Sequence, residues 1–404
     1  METHRIARPN RVAWSTMRRL FGFWLPVVAL GSSLALGAPP PAQSNEGPER
    51  GQPEPSVEVA RTLSAGPDDS ANGVPSAFTV HVVDVGTGLG VFVEGPDFTL
   101  VYDAGSNDDP AGSNNRFVAY LRKTKPGLVT LDHLVISHPH EDHISMLPGL
   151  LKNYGVSQVW DSGAKNGDCS YQDVIRSVAK SDAIYHSAMK DSGNHFVVFG
   201  KTCGELGIKV KVAHGEQIKT GQEIRLGNRA AMTFMYVAGR TMSDLNSNSL
   251  VVRLDMGSKR VLLMGDAGAG RRDSAAHAPQ FGSPESKLVA SSGSELNADV
   301  LVVGHHGSKT ASRKAFLDAV TPDISVISSG PNEYGHVQLP DAEVVEVLQS
   351  YGAVFRTDRD DGACLTNPAK IGHDNDGRPG GCDNVRITLS DNHAPKAEYW
   401  TAAD

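Results

Sequence analysis

From residue 77 onward the chain reads as short apolar runs punctuated by turn residues. Residues 78–85 alternate with the period of a half-buried strand, and 90–93 and 99–102 follow as further short strands. Residues 117–123 carry helical spacing, 133–137 form a strand, and a helix is expected from about 144 to 153. Between 155 and 245 short strands and helices alternate, including strands at 208–212 and 232–236. A second block resembles the first in kind. It has strands at 249–254 and 260–264, a Gly/Ser-rich loop to about residue 294, and a strand at 299–303. A helix over 308–320, a strand at 324–328, a helix over 340–350 and strands at 354–356 and 385–389 close the chain. Two strand-rich halves, each with its own helices, predict two sheets packed face to face with helices outside.

The first 76 residues do not share this pattern. Arg5, Arg8, Arg11, Arg18 and Arg19 precede an apolar stretch from Leu20 to Ala38 that ends in small residues, the layout of a secretory signal peptide over 1–37. Arg18 and Arg19 also suit a twin-arginine export signal, and a retained anchor is the alternative. Residues 38–76 are rich in Pro, Gly, Ser and Glu without periodicity, which predicts a disordered linker. The remainder, 77–404, is expected to be exported to the periplasm or the extracellular space without stable membrane association.

Of 404 residues, 38 are Lys or Arg and 46 are Asp or Glu, a formal charge of −8. Without the leader, 33 basic against 45 acidic residues leave −12. Such a surface repels polyanions at long range, which argues against tight non-specific nucleic-acid binding but not against a local basic channel. Four cysteines, Cys169, Cys203, Cys364 and Cys382, form no Cys-x-x-Cys pair; in an exported protein they predict disulfides, by proximity Cys169–Cys203 and Cys364–Cys382.

The densest chemistry lies in Ser137-His138-Pro139-His140-Glu141-Asp142-His143, directly after an apolar strand. Its four ligating side chains cannot wrap one four-coordinate ion in so short a segment. The spacing suits two ions, His138 and His140 on one, Asp142 and His143 on the other. Asp266 ends the next block's strand, where a carboxylate can bridge two ions. His305 and His306 end another, as a ligand and a neighbour that orients substrate.

In this order the motifs resemble the metallo-β-lactamase fold, and more narrowly the extracytoplasmic hydrolase domain of the DNA-uptake protein ComEC. Val83-Asp84-Val85-Gly86-Thr87-Gly88, Tyr102-Asp103-Ala104-Gly105, Asn246-Ser247-Asn248-Ser249, Tyr334-Gly335-His336 and Arg356-Thr357-Asp358 match further segments of that branch, over residues 78 to about 390. The resemblance implies an α/β, four-layer αββα sandwich. It also implies two divalent metal ions, zinc with manganese as the alternative, and a bridging Asp266. His305 or His306 completes the second metal position. Asp84, Asp103, Asn246, Asn248, Ser249 and Ser308 would support the ligands or touch substrate. Where many members of the wider fold place another His, this chain has Asn246, Asn248 and Ser249, so the ion at His138/His140 is expected to be loosely held or completed by water. The membrane channel part of ComEC has no counterpart here.

The mechanism expected is hydrolysis by a hydroxide between the ions, bridged and oriented by Asp266, with the ligand Asp142 counted among the catalytic residues. His336, or the unligated member of the His305/His306 pair, assists the leaving oxygen. The substrate expected by analogy is a small-molecule or polymeric phosphodiester, with transient contact to nucleic acid. The alternatives are an ester or lactam hydrolase, including phosphocholine esters, and a non-catalytic envelope-binding module.

Overall fold

Strand Phe78–Val82 (β1) opens a nine-stranded sheet. Strands Gly90–Glu94 (β2), Thr99–Ala104 (β3), Thr130–Ile136 (β4), Gly155–Asp161 (β5) and Ile184–Ser187 (β6) follow. In space the order from one edge is Ala213–His214, β6, β5, β4, β3, β2, β1, Val385–Leu389, Lys396–Tyr399. The half from β3 to Ala213–His214 is parallel and the rest antiparallel. The computed structural model describes residues 77–109, 112, 114–165, 169–189, 196–199, 201–202, 205–206, 209–359 and 382–400. The expected leader and linker lie outside these residues, as do Cys203, Cys364 and the disulfide pairing expected for them; neither Cys169 nor Cys382 is a free thiol.

A second, seven-stranded sheet runs Glu223–Gly227, Ala230–Tyr236, Val251–Met256, Lys259–Leu263, Val300–Val302, Ile324–Ile327, Ala353–Arg356, antiparallel up to Lys259–Leu263 and parallel beyond it. Its parallel strands are apolar on both faces because both faces are covered. Val261, Leu263, Val300 and Val302 point into the core between the sheets, against Val80, Val82, Val91 and Tyr102. Leu262, Met264, Leu301 and Val303 point the other way. They meet the helices Pro284–Ser292, Lys314–Val320 and Ala342–Gln349 through Leu288, Phe316, Leu317, Val344 and Leu348. On the first sheet, Val135 faces the inner core while Leu134 and Ile136 face the helices Arg116–Thr124 (α1), Leu147–Asn153 and Cys169–Lys180. Three apolar cores therefore separate four layers, the αββα sandwich of the metallo-β-lactamase fold.

Three elements differ from the expectation. The helix expected over 144–153 is two helices, Glu141–Ile144 (α2) and Leu147–Asn153 (α3), because Pro148 supplies no N–H and begins a new first turn. The loop expected up to residue 294 contains Pro284–Ser292. Its start signals are present, with Ser283 accepting from Ser286 N and Pro284 at the first position, but its small, polar residues show almost no apolar stripe. The helix expected from 308 begins only at Lys314, since the chain before it is used to shape a histidine turn. No helix among the described residues is long and apolar enough to cross a membrane.

One buried histidine ties the packing to pH. His133 on β4 is 8% exposed, and its Nδ1 accepts a hydrogen bond from Trp160 Nε1 at 3.2 Å, which requires the neutral ring. Burial lowers its pKa to about 4, with Asp132 opposing and His186 assisting. The unfolded chain protonates this group below about pH 6.5, while the folded chain resists until about pH 4. Stability should therefore fall by up to about 3 kcal/mol on acidification through that window. Urea melts of wild type and His133→Gln at pH 7 and pH 4.5 should show a smaller acid loss in the variant; equal losses would remove His133 as the cause.

Candidate metal centre

The carboxyl ends of the parallel strands of both sheets converge on one place, the usual location of a site in an open α/β sheet. β3 delivers Asp103, and β4 runs directly into Ser137–His143. In the second sheet, Lys259–Leu263 leads to Asp266, Val300–Val302 to His305 and His306, and Ile324–Ile327 to Ser328. The ligand loop is fastened by its backbone: Leu89 N donates to Asp142 O at 2.9 Å and Met146 N to Ala104 O at 3.0 Å. This close crossing depends on glycine. A Cβ on Gly105 would overlap the backbone of His143 and Ile144, and one on Gly88 would overlap Gly105 O and Asp142 O.

Two groups of ligand atoms result, His138/His140/Asp266 and Asp142/His143/His306, each within 4.8 Å. His138 Nε2 lies 3.0 Å from His140 Nδ1 and 3.6 Å from Asp266 Oδ2. On the other side, His143 Nε2 and His306 Nε2 lie 3.2 Å and 3.5 Å from Asp266 Oδ1, and His306 Nε2 is 3.4 Å from Asp142 Oδ2. The carboxylate of Asp266 thus presents one oxygen to each group. The two adjacent histidines divide: His306 is buried in the second group, whereas His305, 23% exposed in its side chain, faces Asp266 Oδ2 at 3.8 Å from the rim.

Hydrogen bonds fix which nitrogen points inward. His143 Nδ1 donates to Asp103 Oδ2 at 2.8 Å and His306 Nδ1 to the Ser328 carbonyl at 2.9 Å. In the neutral rings both Nε2 atoms then carry lone pairs, yet they face each other at 3.2 Å beside Asp266 Oδ1, which is buried without a hydrogen-bond partner among the described residues. Three converging lone-pair donors are the donor set of a divalent cation, and imidazole with carboxylate suits zinc or manganese. Ser137 Oγ bonds Asp103 Oδ2 at 2.6 Å and approaches His138 Nδ1 at 3.0 Å. Ser249 Oγ accepts from Asp266 N at 3.0 Å and lies 3.4 Å from His138 Nδ1. Asp103, His305 and His306 all have left-handed backbones, with φ of 57°, 53° and 53°. Strain of about 1–3 kcal/mol at each such residue is sustained only where the surroundings fix the backbone.

The charges agree with this reading. Burial favours protonated carboxyls, yet His306 and His143 hold Asp142 far below the usual carboxylate range, and His143, His306 and His305 do the same for Asp266. Conversely, burial alone would lower His143, but Asp266 and the Asp103 hydrogen bond raise it well above an ordinary imidazole. His138 is held low by burial and by His143. Two ionised carboxylates in a buried cluster require positive charge, which without bound cations falls to the imidazoles.

The remaining expected residues lie in different places. Asn246 Nδ2 donates to His305 Nε2 at 3.1 Å, and Asn248 bonds its own turn through Met242 N, Asp244 O and Leu245 O. Ser308 is buried on the far side of the histidine turn, bonding Arg272 and Thr310. Asp84 accepts from Gly86 N, Asp383 N and Arg116, and so ties the first loop to the chain's last strands instead of touching ligands. His336 is exposed, and no hydrogen bond or ion pair among the described residues joins it to the cluster. The member of its segment that arrives is Tyr334. Its hydroxyl donates to Asp142 Oδ2 at 2.7 Å and its ring stacks on His306 at 5.5 Å. Tyr334 and Thr310, whose Oγ1 lies 2.7 Å from His305 Nδ1, were not among the expected site residues.

Residues 83–166, which span β2 through β5 and the ligand loop, match the family model for the metallo-beta-lactamase superfamily. The match covers about a fifth of the chain and contains the ligand loop, and the four layers around it are those of the metallo-β-lactamase fold. The chain's curated relatives are competence proteins of the ComEC type. Recombination protein 2 of Haemophilus influenzae is 27% identical over 273 residues, 67% of this chain and 26% of that protein. Competence protein ComA of Neisseria gonorrhoeae is 35% identical over 127 residues, 31% of this chain and 16% of that protein. ComE operon protein 3 of Bacillus subtilis is 24% identical over 294 residues, 69% of this chain and 32% of that protein. The chain thus spans a third or less of the length of each.

Proposed function

We propose that this chain is an exported, dinuclear metal-dependent phosphodiesterase whose substrate is nucleic acid. The observation that carries the reading is the Asp266 carboxylate, shared between two groups of imidazole and carboxylate ligands. Competence proteins among the relatives favour a phosphodiester over a lactam, and the basic, apolar N-terminal stretch favours export. Two divalent cations held by His138, His140 and Asp266, and by Asp142, His143, His306 and Asp266, would supply Lewis acidity and a water of lowered pKa.

The protein's own groups perform the rest. With cations bound, the Asp103 carboxylate and the Ser328 carbonyl would keep the remaining proton of His143 and of His306 on Nδ1 and so turn each Nε2 inward as the donor. Tyr334 holds the Asp142 carboxylate in one orientation. His305 stands at the rim with Nδ1 beside Thr310 Oγ1 and Nε2 accepting from Asn246, and with these two residues it lines the approach to Asp266. The full-length protein, loaded with zinc or manganese, should hydrolyse bis-p-nitrophenyl phosphate and leave nitrocefin and phosphocholine esters intact. Turnover of nitrocefin alone would overturn the phosphodiesterase reading, and metal-independent turnover would overturn the metal centre. Export is tested by fractionating cells that express the tagged full-length chain.

A further inference from the structure

Beside the metal centre, a cleft of about 420 Å³ is lined by Asp266, His305, Asn246, Thr310, Arg271 and Phe281, among other residues. Phe281 is the only large apolar side chain on it among the described residues, and its ring is fully exposed at 106%. No other exposed large hydrophobic among the described residues exceeds 74%. An aromatic ring standing wholly in water at the mouth of a polar cleft gains nothing for the fold.

Nor is it the tip of a loose loop. Gln280 N donates to Ala269 O at 2.7 Å, Arg271 N donates to Gln280 Oε1 at 3.1 Å, and Ser283 N donates to Gln280 O at 3.0 Å. Ser283 then caps the helix that follows by accepting from Ser286 N. Both flanks of Phe281 are therefore pinned, one to the strand-end segment after Asp266 and the other to a helix start.

We infer that Phe281 is the stacking platform of a nucleobase subsite, taking an unpaired base next to the phosphate held at the metal centre. This rests on the phosphodiesterase reading and deepens it. A protein partner would need a broad apolar patch around the ring, but apart from Pro284 and glycines the other lining residues are polar or charged. A planar base on a polar, anionic backbone suits one aromatic face in such surroundings. Arg271 lines the same cleft, and among the described residues its side chain is tied only to the exposed Asp273, a surface pair weak enough to exchange for a phosphate. A base in a duplex hides its face, so the subsite selects single strands or nucleotides.

The test compares Phe281→Ala, Phe281→Leu and Phe281→Trp in the full-length, metal-loaded protein. Equilibrium binding of a short fluorescein-labelled phosphorothioate oligothymidylate, read by anisotropy, is set beside binding of its abasic counterpart. Phe281→Ala and Phe281→Leu should weaken oligothymidylate binding about 5- to 150-fold, the range for losing one base–aromatic stack, and leave abasic binding unchanged. Phe281→Trp should retain it. Unchanged oligothymidylate binding in Phe281→Ala, or full retention by Phe281→Leu, overturns the subsite. Hydrolysis of bis-p-nitrophenyl phosphate separates the two readings. If wild type hydrolyses it while Phe281→Ala binds normally, only the subsite fails. If wild type neither hydrolyses it nor binds the oligonucleotide, both fail.

Discussion

Asp266→Ala is expected to abolish hydrolysis while leaving the fold in place. Among the described residues the side chain is the single group with one oxygen toward each ligand cluster, so its loss removes a ligand from both positions together. Removing an outer partner of a metal ligand costs about 10–100-fold in affinity or activity, and removing a shared ligand should exceed that. The fold should survive because the residue follows the strand Lys259–Leu263 instead of packing within a core. Its backbone N–H remains bonded to Ser249 Oγ. Steady-state rates at saturating metal beside circular dichroism check this. A variant that keeps more than about a tenth of wild-type activity would show that the carboxylate is not shared.

Asp103→Asn tests a subtler dependence. Asparagine tolerates the left-handed backbone found at position 103, so the substitution changes charge and donor pattern without changing chain geometry. With its oxygen toward Ser137 N, the new amide presents N–H to His143 Nδ1, where the carboxylate had accepted. His143 must then accept at Nδ1 and carry its proton at Nε2, the atom needed for metal. Metal affinity should fall about 10–100-fold, with activity falling in proportion at subsaturating metal. Titration of the metal-free protein with zinc in competition with a chelator measures it. Unchanged affinity would mean that the tautomer of His143 is not set by Asp103.

The layers and the ligand loop were legible because both rest on local pattern. Short, β-branched apolar runs such as Val300–Val303 read as strands buried on both faces, and they end in the polar residues that chemistry requires. The division of His305 from His306 was not legible, since it follows from two left-handed residues that splay neighbouring rings to opposite sides. Ser328 contributes a backbone carbonyl, which leaves no mark in the side-chain sequence. Tyr334 reaches Asp142 across 192 positions, and its neighbour His336 drew the attention that residue type alone awards a histidine. The helix Pro284–Ser292 had its start signals but no apolar stripe, so the local cue lost to composition.

The central claim is that two cations share Asp266, and counting metal tests it most directly. Elemental analysis of full-length protein, dialysed against zinc and then against metal-free buffer, should give two ions per chain. His140→Ala should keep about one, because the Asp142/His143/His306 group does not use that ring. One ion or none in wild type, or two retained in Asp266→Ala, would contradict it.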